Sequence, residues 1–240
     1  MRKVGKLRVG IATLALALSV AGAVGMATPA VAKCNPSRSN DKNHWFDGWY
    51  RNTGATNVGG IYAGILNYSP WVYPYDGSNV GVSAWTMLTG SGSGERWAQI
   101  GWVEYPYGVR YTFVQWTNSA GSGVTTHLYS PQPVGSTTTY TTLYGNTAGD
   151  FTFEAGSIKD LEQATFTPTG AQNFGETATL ASQMPGGYNY FEEFTGAHMW
   201  INGSGWVAFN GTIDNYSSTY FGNYQSGSQV DGIWDRTCST

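Results

Sequence analysis

The chain has 240 residues, and only 11% of them are charged, against about 25% in an ordinary globular domain. Its 33 glycines are roughly double average usage, aromatic residues reach 15%, and hydrophobic residues stand at a normal 41%. These numbers exclude a disordered polyelectrolyte, a coiled coil and a charge-rich helical bundle, and the glycines follow no collagen triplet.

At the start of the chain, Arg2, Lys3, Lys6 and Arg8 precede an apolar run from Val9 to Met26, and Ala30-Val31-Ala32 follows it. This order predicts a signal peptide over residues 1–32, cut after Ala32, with an uncleaved anchor as the alternative. The expected location is secreted or extracellular, with no membrane contact after cleavage. The remainder carries 8 bases and 15 acids, a net charge of about −7, with no run of Lys or Arg. That surface does not suit nucleic acid. Cys34 and Cys238 stand at the two ends of the mature chain. Export favours a disulfide between them over two free thiols. It would close a loop of about 205 residues, worth up to about 5 kcal/mol, and bring the termini together.

An N-terminal segment over 33–57 leads into a single domain over 58–240. Runs rich in Val, Thr, Tyr, Phe and Trp predict strands near 58–67, 79–89, 96–106, 109–117, 124–130, 137–145, 149–155, 171–181, 196–202 and 205–210. Turn signals separate several of them, among them Ser91-Gly92-Ser93-Gly94, Ser119-Ala120-Gly121 and Pro185-Gly186-Gly187. Residues 157–164 suggest one helical turn. No fixed-period repeat and no low-complexity linker divides the chain. The fold class is all-β, an antiparallel β-sandwich of jelly-roll or concanavalin-like type, expected as a monomer.

Strand parity places Trp97, Gln99, Val103 and Tyr105 on one face, and Ile100, Trp102 and Glu104 on the other. Gln172, Phe174, Glu176 and Ala178 likewise share a face. Gln99 and Glu176 therefore stand among apolar neighbours, where a polar group needs a partner or a purpose. The three histidines, His44, His127 and His198, belong to no catalytic or metal motif and are expected to be structural or surface residues. Asp41 and Asp47 bracket His44 without a calcium-loop pattern. No metal and no cofactor is expected. Burial would raise the pKa of Glu176 and suit it to acid–base chemistry, while Gln99 offers an amide to an oxyanion. The alternative is a satisfied carboxylate and an amide paired with backbone.

The segment Trp97-Ala98-Gln99-Ile100-Gly101-Trp102-Val103-Glu104-Tyr105-Pro106, with Tyr111-Thr112-Phe113-Val114-Gln115-Trp116-Thr117 after it, resembles the core of the neprosin domain. Asn173-Phe174-Gly175-Glu176-Thr177 is similar to the second neprosin signature, Trp-Gly-Gly-Glu-Val. Neprosins and the fungal glutamic peptidases (eqolisins) are β-sandwich hydrolases in which two residues on one sheet activate water. The pair is Glu and Glu in neprosins, Gln and Glu in eqolisins. The resemblance implies Gln99 and Glu176 as the catalytic pair, on neighbouring strands and close enough to share a water. It further implies Trp97, Trp102, Tyr105 and Trp116 as substrate-binding aromatics, and cleavage of an extended peptide in acid. The Cys-Tyr-Asn-Leu-x-Cys segment of plant neprosins is missing, so their proline-directed specificity is not implied.

A second expectation is a non-catalytic carbohydrate-binding or cell-surface module with a polysaccharide partner. Trp45, Trp49, Tyr50, Trp71, Tyr73, Tyr75, Tyr188 and Tyr190 would then be candidate stacking platforms.

Overall fold

The computed structural model describes residues 34–36, 38, 44–55, 57–74, 81–90, 96–117, 123–145, 149–187, 190–215, 218–226 and 230–238. The leader expected over 1–32, Asp41, Tyr75 and Tyr188 lie outside them. Among the described residues there are sixteen strands: β1 (Trp45–Asn52), β2 (Val58–Leu66), β3 (Val82–Gly90), β4 (Arg96–Tyr105), β5 (Val109–Thr117), β6 (Val124–Tyr129), β7 (Thr137–Tyr144) and β8 (Asp150–Ala155), followed by β9 (Ile158–Gln163), β10 (Pro168–Thr177), β11 (Gly186–Gly187), β12 (Tyr190–Ile201), β13 (Gly205–Ala208), β14 (Thr212–Asn215), β15 (Phe221–Ser226) and β16 (Val230–Asp235). No helix among these residues is long and apolar enough to cross a membrane.

The strands form two stacked sheets, as the alternating pattern predicts. One has seven strands in the order β14-β1-β10-β3-β4-β5-β6. The other runs β15-β16-β11-β12-β2-β7-β8-β9, with β13 beside β12. Among the described residues, pairing is antiparallel apart from a single parallel contact between Gly187 and Asp235. The core lies between the sheets, where Trp49, Ile61, Ile65, Ile100, Trp102, Tyr140, Phe153 and Phe194 are buried. Each of these residues sits at every second position of its strand, which leaves the intervening positions of the seven-stranded sheet on its open face.

Residues 157–164 do not form a helical turn. Ile158–Gln163 is β9, folded back on β8 through a turn in which Gly156 takes φ 60. The charged alternation Lys-Asp-Leu-Glu imitates a helix face, yet the edge position of this strand tolerates it. Trp45–Asn52, for which the sequence predicts no strand, lies inside the seven-stranded sheet between β10 and β14.

The Cys34–Cys238 disulfide is present, with a Cα–Cα distance of 5.5 Å. A second clamp lies beside it. Arg38 donates from Nη1 and Nη2 to the two oxygens of buried Asp235, at 3.1 and 2.5 Å, and also to the carbonyls of Leu180 and Ser182. Replacing both cysteines by serine should lower stability by about 2–4 kcal/mol, below the chain-entropy bound because Arg38 still holds the ends. The urea midpoint of the double variant checks this.

Several acids are buried. Burial pushes Asp47 up to about 7 and Asp231 up to about 6, and it raises fully buried Glu192 well above the carboxylate range. These groups hold protons more tightly folded than unfolded. Their contribution is intact in acid below about pH 4 and is lost as pH rises through the folded values. Glu192→Gln removes the ionisation while keeping the shape. It should match wild type in thermal melts near pH 4 and exceed it by about 4–8 °C near pH 7.5, for a relief of about 2 kcal/mol.

Candidate functional site

The open face of the seven-stranded sheet forms a groove of about 750 Å³. Register arranges its floor as three rows that cross the strands. In the first row Gln172, Met87, Gln99, Gln115 and Thr126 stand side by side on β10, β3, β4, β5 and β6. The second row is Gly48, Phe174, Trp85, Gly101 and Phe113. The third is Phe46, Glu176, Ser83, Val103 and Tyr111.

The middle row explains why the groove is paved with rings. A Cβ on Gly101 would lie 2.1 Å from the Ala84 carbonyl oxygen and 2.7 Å from the Trp85 Cβ. A Cβ on Gly48 would lie 2.2 Å from the Asn173 carbonyl oxygen. The two glycines leave space for Trp85 and Phe174 to stack at 5.4 Å, and Phe46 meets Phe174 edge-on at 5.5 Å. The result is a second apolar cluster, separate from the inter-sheet core, whose upper surface is the groove floor.

The first row carries amides joined in a chain. Gln99 Nε2 donates to Gln115 Oε1 at 2.8 Å, and Gln115 Nε2 donates to Thr126 Oγ1 at 2.9 Å. Gln99 is thereby oriented by side chains rather than by backbone. The third row carries the carboxylate. Glu176 Oε1 lies 2.5 Å from His44 Nδ1, and Trp85 Nε1 donates to Oε2 at 3.4 Å. The hydrogen bond to Glu176 raises the pKa of His44 above that of an ordinary histidine, against a smaller opposing effect of burial. His44, expected to be a structural or surface residue, is exposed and lines the groove. Its side chain is 70% exposed, so the pair sits at the rim. No sequence motif marks it, because its partner lies 132 residues away.

Gln99 and Glu176 both face the groove, as parity predicts. They do not lie on neighbouring strands. β3 separates β4 from β10, and Glu176 is four residues along β10 from Gln172, the residue in register with Gln99. Two strand spacings and four residue rises put their Cα atoms roughly 17 Å apart, too far to share one water. The residue across β3 from Gln99 is Gln172, at about 10 Å between Cα atoms. Sequence parity finds the shared face but not the register, and the second signature match lies two pleat repeats too far along.

The aromatic expectations divide. Trp97 and Tyr105 line the groove. Trp102 and Trp116 do not: both are buried between the sheets, Trp102 donating to the Leu66 carbonyl and Trp116 stacking on Phe153. Their even positions, an odd number of residues from Trp97 and Gln115, turn them to the inner face. Glu104 is also inside, beside Arg110 at 3.3 Å, and Glu193 accepts a hydrogen bond from Tyr224 on the other sheet. Of the candidate sugar platforms, Trp49 is fully buried and Trp45 packs edge-on against Phe221.

No known protein family's sequence profile matches the chain, and no curated protein matches it. Solved structures do. Scytalido-glutamic peptidase with a peptide-based transition state analogue matches at 14% identity and a TM-score of 0.55, and SCP-B, a member of the eqolisin family in complex with the tripeptide Ala-Ile-His, at 12% and 0.56. Each match covers 82% of this chain and 100% of the other. At these identities the likeness is one of fold: the chain carries the two-sheet architecture of the glutamic peptidases.

Proposed function

We propose that the protein is an exported polypeptide-binding protein, which holds an extended segment across the groove without cleaving it by the glutamic-peptidase reaction. The observation that carries this is the register partner of Gln99. A water-activating pair needs a group that takes a proton from water and returns it to the leaving amine. Across β3 from Gln99 stands Gln172, and an amide does not do this. Glu176, the carboxylate in the implied pair, is roughly 17 Å away by register and engaged by His44 and Trp85.

The other features suit binding. The floor is apolar and aromatic, the amide row offers donors and acceptors to a peptide backbone, and the volume falls within the usual range of ligand clefts. The ends of the groove differ in charge. Arg96 is in register with Gly90 at one end, and Glu176 meets His44 at the other. An extended peptide would be held in one direction, its amino-terminal side toward the carboxylate. The fold neighbours are crystallised with peptides or peptide-like inhibitors, which supports the same class of ligand. Export is supported by the disulfide and by the leader pattern.

A labelled unfolded polypeptide should bind saturably and emerge intact after incubation near pH 4 and near pH 7. Trp97→Ala should weaken binding about 5- to 30-fold, as loss of an aromatic anchor does. Gln172→Glu should introduce cleavage in acid, which a second change, Gln99→Ala, removes. Cleavage by the wild type that Glu176→Gln abolishes would instead establish hydrolysis by the implied Gln99–Glu176 pair. Retention on polysaccharide with no affinity for polypeptide would establish the carbohydrate-binding module.

A further inference from the structure

At the side of the sandwich, the last strand of one sheet meets the last strand of the other. β6 ends the seven-stranded sheet and β9 ends its partner. β9 is patterned the wrong way round for a half-buried strand. Its apolar Leu161 is 67% exposed, while Asp160 and Glu162 occupy the inward positions, Asp160 at 9% exposure. Two carboxylates on the inner face of a strand call for a counter-charge.

The group that meets them is His127 of β6. Its Nδ1 lies 3.0 Å from Asp160 Oδ2 and 3.3 Å from Glu162 Oε1, and the three ligand atoms all lie within 4.8 Å of one another. A tetrahedral ion with bonds of about 2.0–2.1 Å separates its ligands by about 3.3–3.4 Å. Two edges of the triangle are already near that size. The surroundings orient the ligands. Tyr129 Oη donates to Asp160 Oδ2 at 2.5 Å, and the edge of the Trp116 ring system holds the imidazole at 5.0 Å between centroids. Hydrogen-bonded carboxylates and a fixed imidazole are what a metal site needs around its first ligands.

We propose that His127, Asp160 and Glu162 bind a Zn²⁺ ion, with water completing the coordination, and that the ion fastens β6 to β9. One imidazole and two carboxylates suit zinc better than calcium or magnesium, which take oxygen-only ligands. The site is separate from the groove but adjoins its wall. Thr126 and Leu128, on either side of His127 in β6, face the groove. Fixing β6 therefore fixes one bank of the peptide-binding face.

The test uses untagged protein, freed of metal with a chelator and then titrated with zinc chloride. Near pH 7.5, calorimetry should show one equivalent bound, and Tm should rise by about 3 °C or more once zinc reaches about a hundredfold excess over the dissociation constant. His127→Ala and Glu162→Gln should each abolish the one-to-one heat and the rise in Tm. Gln keeps the size and shape of Glu162 on the edge strand β9, so this variant keeps the fold even where His127→Ala does not. His44→Ala should retain the zinc response, which separates this site from the His44–Glu176 pair. Absence of zinc binding, or an equal response in Glu162→Gln, overturns the proposal and leaves the inward acids as charges that block edge-to-edge pairing.

Discussion

Because Met87 stands between Gln172 and Gln99, and Ser83 between Glu176 and Val103, the pairing of β3 with its two neighbours decides which side chains can meet. A strand has only two faces, so parity alone would allow any of several polar groups to cooperate. Register is the finer constraint. It gathers the amides into one row, the rings into the next and the carboxylate into a third. A shift by one residue would turn every one of these groups into the core. The glycines at 48 and 101 hold that pairing in place from the groove side, since a side chain at either would collide with the adjacent strand.

Much of this was legible in the sequence. Alternation of apolar and polar residues gave the strands from 58 to 155 and the shared face of Trp97, Gln99 and Tyr105. The ends of the chain gave the disulfide. What escaped did so for physical reasons. Thr212–Asn215, Phe221–Ser226 and Val230–Asp235 are short and rich in polar residues or glycine, and they become strands through their neighbours rather than through propensity. His44 is paired with a residue on another strand, which no local spacing can report. The distance between Gln99 and Glu176 depends on which strand lies between them. That is a property of topology, and residues 80–180 read in order do not contain it.

The inner face is unusual in another respect. A domain with few charges has placed several ionisable groups where water cannot reach: Glu104 against Arg110, Asp235 against Arg38, and Glu192 and Asp231 with burial raising their pKa values. Paired charges of this kind favour one arrangement of strands over alternatives more than they add stability. Glu192 and Asp231 act differently, since they make the folded state most secure in acid.

The staple between residues 34 and 238 turns nearly the whole domain into a covalent ring. In a ring, one cut in the backbone releases nothing. A protease that nicks an exposed turn, such as the one at Gly203 between β12 and β13, leaves both pieces joined through sulfur and still held by the two sheets. Damage then has to occur twice before any part of the groove is lost.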